Sequence, residues 1–144
     1  MTWAAVLSVA AVFVWLGLVA GISLIEAPLK FRAPGITLAL GLGIGRLVFA
    51  ALGRVEAVLL AVAVVCAAWV PGYVTARAVL LAVLAVILAG QYLVLRPALD
   101  RRAAVIIAGG EPPRSSLHLG YIAAECAKLA LLLALGLLLA RGSA

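Results

Sequence analysis

Residues 115–139 read Ser-Ser-Leu-His-Leu-Gly-Tyr-Ile-Ala-Ala-Glu-Cys-Ala-Lys-Leu-Ala-Leu-Leu-Leu-Ala-Leu-Gly-Leu-Leu-Leu. The run is long enough to cross a bilayer as a helix, yet its first half holds His118, Tyr121, Glu125 and Lys128. At about 100° per residue these four fall within about 80° of one another, and Arg114 lies on the same stripe. Beyond Lys128 the stripe turns apolar at Leu132. A charged side chain at the centre of a membrane costs at least about 2.5–3.5 kcal/mol on insertion scales, so such residues mark either a functional site or a buried pair.

The rest of the chain fits that frame. Of 144 residues, 68% are hydrophobic and 11% charged, against about 25% charged in a soluble domain. Too few polar side chains remain to cover a water-exposed surface. The apolar runs are continuous and lack the alternation of barrel strands, so the expected class is an all-α integral membrane protein in one domain, residues 1–144. The first run, Trp3–Ile25, lacks the basic flank and cleavage signal of a signal peptide and reads as a retained span. It carries Gly17 and Gly21, a G-x-x-x-G pair suited to close helix approach.

Residues 35–52 form a second apolar run, interrupted by Gly41, Gly43 and Gly45 and then Arg46. Further runs cover 55–70, 75–95 and 115–139, with turn signals at Pro71-Gly72 and in the polar segment 98–114. Charge decides the number of crossings. Five crossings would put Arg54, Arg96, Arg101, Arg102 and Arg114 on one side and Lys30, Arg32, Arg77 and Arg141 on the other, a split of five against four that gives no orientation. If 35–52 is re-entrant or interfacial, Lys30, Arg32, Arg46, Arg54, Arg96, Arg101, Arg102 and Arg114 share one face against Arg77 and Arg141, eight to two. The positive-inside rule then predicts four spans, both termini outside the cell and both basic loops in the cytoplasm.

Under that topology the polar edge of the last span runs from the cytoplasmic face to mid-membrane. Glu125 lies about 10 Å deeper than His118, and Lys128 about 15 Å deeper. Two readings of the edge stand side by side. In one, Glu125 and Lys128 pair at i, i+3 and lock the bundle. In the other, Glu125, Lys128, Tyr121, His118 and Arg46 line a solute pathway, with Glu26, Lys30, Arg32 and Arg114 at its cytoplasmic mouth. The edge is basic overall, which favours an anionic solute. Four spans enclose little volume, so conduction calls for a homo-oligomer. An acid–base role for His118, Tyr121 and Glu125 on a lipid head group lacks any nucleophile motif. The alternative function is a non-catalytic membrane subunit or scaffold docking helices of a larger complex. One histidine and two separated cysteines, Cys66 and Cys126, give no metal-ligand spacing. No cofactor and no nucleic-acid partner are expected; the partners are the bilayer and either further copies or another membrane protein. Gly41–Arg46 follows no strand and lacks the acidic residue of a dinucleotide fingerprint.

The segment Ala27-Pro28-Leu29-Lys30-Phe31, the small-residue run ending in Arg46-Leu47-Val48-Phe49, and Leu117-His118 at the start of the last helix resemble a bacterial membrane domain related to transmembrane protein 205. That resemblance implies four spans with an amphipathic segment after the first, and it singles out Pro28, Phe31, Phe49 and His118 as motif positions without assigning them roles. The topology is checked by attaching a membrane-impermeant maleimide to Lys30→Cys and Ser143→Cys in a chain lacking its native cysteines. The two sites are expected to label from opposite sides of the membrane.

Overall fold

The computed structural model describes residues 2–142. Among them four helices are long and apolar enough to span a membrane: α1 (Trp3–Arg32), α2 (Leu38–Ala67), α3 (Val74–Ile107) and α4 (Leu117–Gly142). The predicted all-α four-span bundle is therefore what forms. The helices contact each other as a ring, with α1 between α2 and α4, and α3 closing the ring opposite it. The connections at 33–37 and 108–116 share one face; the turn at 68–73 shares the other with Trp3 and Gly142, the outer ends of the first and last helices.

Three of the helices bury residues three and four apart. These are Ala5, Ser8, Val12, Trp15 and Val19 on α1, and Arg77, Leu81, Leu84, Leu88 and Gln91 on α3. On α4 they are Tyr121, Glu125, Lys128, Leu132, Leu135 and Leu139. This is the seam of knobs-into-holes packing in near-antiparallel bundles. It is hidden in the sequence because the lipid-facing sides are as apolar as the core. Trp3, Trp69 and Tyr73, all more than half exposed, sit on the face of the 68–73 turn and mark the bilayer interface there. Arg77 is buried on that same face and donates through Nη2 to the carbonyl of Val70, holding the turn.

One sequence expectation is corrected. Residues 35–52 form no separate re-entrant or interfacial segment, for Leu38–Ala67 is one helix of 30 residues. Gly53-Arg54, read as a break between two runs, lies inside it. Glycine weakens a helix in isolation, but here tertiary contacts use the missing side chains. A Cβ on Gly41 would stand 2.3 Å from the Phe31 ring, one on Gly45 3.1 Å from Lys30 Nζ, and one on Gly53 2.2 Å from the Tyr92 ring. The glycines are notches that seat three large side chains against α2. Thr37 opens the helix by accepting the Leu40 N–H at 3.1 Å. Four crossings leave the parity of the charge count intact: Lys30, Arg32, Arg46, Arg96, Arg101, Arg102 and Arg114 still gather towards the face of the 33–37 and 108–116 connections, while Arg54 moves to the middle of a span.

The apolar runs read from the sequence, 3–25 and 75–95, stop short of Pro28 and Pro97, but the helices do not. α1 passes through Pro28, and α3 through Pro97. In both, the turn before the proline widens to a π-helix, Ala20–Glu26 and Gln91–Leu95. Proline cannot supply the bond to the fourth carbonyl before it and its ring crowds that carbonyl. The residue before each proline takes the wider bond instead, Ala27 N–H to Ile22 O and Arg96 N–H to Gln91 O. At 1.5 Å per residue all four helices exceed a hydrocarbon core of about 30 Å, so their ends project or the helices tilt.

Substituting Gly53→Ala is expected to displace Tyr92 and lower stability by about 1–3 kcal/mol. Gly17→Ala and Gly21→Ala, where a Cβ would meet nothing within 4 Å, leave it unchanged. Thermal unfolding in detergent distinguishes the three.

Candidate functional site

The two π-turns aim polar side chains at the middle of the bundle: Ser23 from α1, and Gln91 with Tyr92 from α3. They meet the polar edge of α4 and one residue of α2, Glu56. Lys128, wholly buried, donates to Glu56 Oε2 at 2.7 Å, Glu125 Oε1 at 2.7 Å and Gln91 Oε1 at 2.8 Å. An ammonium has three protons, and all three have acceptors. Glu125 also accepts from the Ser23 hydroxyl through Oε2 and from Gln91 Nε2 at 2.6 Å. Glu56 accepts from Trp15 Nε1 at 2.6 Å and from the Tyr92 hydroxyl at 3.0 Å. Both carboxylates thus accept hydrogen bonds from several helices at once. Every helix contributes a member. On the side of the 68–73 turn the bundle is packed shut by Val12, Val19, Leu84, Leu132 and Leu135, none of them exposed.

On the side of the 33–37 and 108–116 connections the bundle opens into a cavity of about 320 Å³. Glu125 and Ser23 stand at its inner end. Tyr121, Phe49, Leu42 and Ile106 form much of its wall, and Lys30, Arg46, Arg96, Asp100, Arg102 and His118 line it among them. The charged groups are held in place. Asp100 binds Arg96 at 3.0 Å and lies 3.9 Å from Arg46 Nε. The Arg96 guanidinium rests over the rings of Phe49, at 5.1 Å, and Tyr121, at 5.8 Å. Lys30 Nζ sits 5.8 Å from the Phe49 centroid on a path set by Glu26, 3.4 Å away. Such cation–π contacts contribute about 0.5–2 kcal/mol and keep the charge beside an apolar wall. Arg102 donates to the carbonyl of Pro113 and ties α3 to the loop before α4.

Of the residues the sequence singles out, Glu125, Tyr121, His118, Arg46 and Lys30 line this cavity together. Lys128 lies behind Glu125, outside the lining. Glu26 touches the site through Lys30, and Arg32 and Arg114 are exposed outside it. Three of the four motif positions, Phe31, Phe49 and His118, line the wall, and Pro28 follows the π-turn that carries Ser23. Sequence reasoning missed Arg96, Asp100, Arg102, Ser23, Gln91, Trp15, Tyr92 and Glu56. Glu56 had a signal, being an acidic residue inside an apolar run, the same criterion that marks Glu125. Gln91 and Trp15 had none apart from the seam. Among the described residues no group of three or more His, Cys, Asp or Glu side chains could hold a metal ion.

Comparison with protein-family models, with curated proteins and with solved structures finds no match for this chain.

Removing one partner of a buried ion pair strands the other and costs about 3–5 kcal/mol. Lys128→Met is therefore expected to destabilise the bundle by that order, since two carboxylates then face each other without a cation. Adding Glu56→Gln and Glu125→Gln to it should restore most of the loss, measured as unfolding midpoints in the same detergent.

Proposed function

We propose that this protein is a small membrane transport protein for an anionic solute, working as an oligomer. The observation that carries the reading is the charge lining the cavity. Lys30, Arg46, Arg96 and Arg102 bring four cations to the lining against the two carboxylates of Asp100 and Glu125; Lys128 backs Glu125 but is shared with Glu56. An anion entering from the loop face meets cations set among apolar walls, where low polarizability of the surroundings strengthens the attraction. The inner end is blind, so passage to the other face needs the packed half of the bundle to open or a second copy to complete the route.

Association with another chain is favoured by Arg54, which lies midway along α2 and is exposed on the outside of the bundle. Charged side chains within spans almost always face protein or water. The second reading, a non-catalytic subunit docking helices of a larger complex, draws on the same arginine together with Gly17 and Gly21, whose outer sides are unoccupied.

Reconstitution into vesicles separates the two. A panel of carboxylate-, phosphate- and sulfonate-bearing solutes is offered, with oligomer size measured in parallel. At least one anion is expected to move faster than in protein-free vesicles. The flux should fall about tenfold or more in Lys30→Gln/Arg46→Gln and stay unchanged in Arg141→Gln, whose side chain lies at the opposite face. If no anion moves, or if the double substitution leaves flux intact, the transport reading is lost and the subunit reading gains.

A further inference from the structure

The cavity does not open only towards the loops. Leu24 on α1 and Ile122 and Cys126 on α4 line it, yet Leu24 is 55% and Ile122 45% exposed, and Cys126 is exposed as well. A residue that belongs to a cavity wall and to the outer surface of the bundle marks an edge where the two join. Here the edge lies between α1 and α4, which are pinned at one level by Ser23 and Glu125 and drawn together beyond it by Val12, Trp15, Leu132 and Leu135. Ile122 and Cys126 are five and nine residues into α4, about 8 and 14 Å from its start. That depth is below the polar surface. The gap therefore faces acyl chains and not water.

Resting on the reading of the cavity as an anion site, we propose that its occupant is a lipid-like anion: a phosphate- or carboxylate-headed amphiphile. The head is held by Lys30, Arg46 and Arg96, and the chain leaves the bundle between Leu24 and Ile122. Two observations agree. The volume, about 320 Å³, is at the low end for small-molecule sites, enough for a head and part of a chain and consistent with the remainder staying in the bilayer. Lys30 and Arg96 are held against Phe49 and Tyr121 by ring contacts, with side chains only 10% and 12% exposed, so each cation is already half wrapped in apolar surface. A freely hydrated inorganic anion gains little from such walls, whereas an amphiphile is matched by both parts.

Cys126 is a built-in reporter. In a Cys66→Ala background, the full chain is purified in dodecyl maltoside, whose head is uncharged. The rate at which a water-soluble methanethiosulfonate modifies Cys126 is measured, together with the thermal unfolding midpoint. The probes are monododecyl phosphate and inorganic phosphate. Monododecyl phosphate is expected to slow modification tenfold or more and to raise the midpoint, at concentrations where inorganic phosphate does neither. Both effects should vanish in Lys30→Gln/Arg46→Gln. Equal protection by inorganic phosphate would keep the anion site and overturn the amphiphile. Protection by monododecyl phosphate that survives the double substitution would mean the chain alone binds, and would overturn both. Absence of any effect on rate or midpoint would also overturn both. The midpoint keeps the test decisive should Cys126 react too slowly to follow.

Discussion

The bundle is organised around one ammonium group. Lys128 is the point at which four helices must agree, because each of its protons needs an acceptor and the membrane interior supplies no water to stand in. Glu125 comes from its own helix, Glu56 from α2 and Gln91 from α3; α1 joins at one remove, through Trp15 on Glu56 and Ser23 on Glu125. A slip of any helix by one turn, about 5.4 Å, would strand a charge. Apolar packing alone cannot fix register this way in a membrane, since lipid tails compete equally with apolar side chains. The buried polar group supplies the specificity that the hydrophobic effect would supply in water.

The same network divides the molecule. On one side the seam is apolar and closed. On the other the helices separate around Phe49, Tyr121 and Arg96. The division has a local origin in the two prolines. Each forces the preceding turn to widen, and a wider turn rotates the side chains it carries relative to the rest of the helix. Ser23, Gln91 and Tyr92 all sit on these turns, and π-turns recur at functional sites for this reason. The prolines thus act as positioning devices inside continuous helices. Phe31 and Lys30, carried just beyond the first of them, are seated by Gly41 and Gly45, which joins the glycine-rich half of α2 to the cavity wall.

Much of this was legible beforehand, and the limits of legibility have physical causes. Four spans and the gathering of basic residues at one face follow from composition and from charge counted along the chain. The importance of Glu125 and Lys128 follows from the cost of charge in lipid. The helix boundaries were less legible, because glycine and proline were read by their intrinsic effect. Glycine destabilises α2 only until Phe31, Lys30 and Tyr92 occupy the space it leaves.

By itself, then, the sequence determined the solvent this protein lives in, the number of crossings and the helix edge that bears its ionisable groups. These depend on quantities summed along the chain: apolar length, charge and angular spacing. Only the tertiary structure decided that Lys128 is consumed in holding the bundle while Glu125 stands between network and cavity. It also brought Arg96, Phe49 and Lys30 together from three helices. Those outcomes depend on which helices become neighbours and on the rotation each adopts. In a chain apolar on every side, no pattern along a single helix encodes that choice.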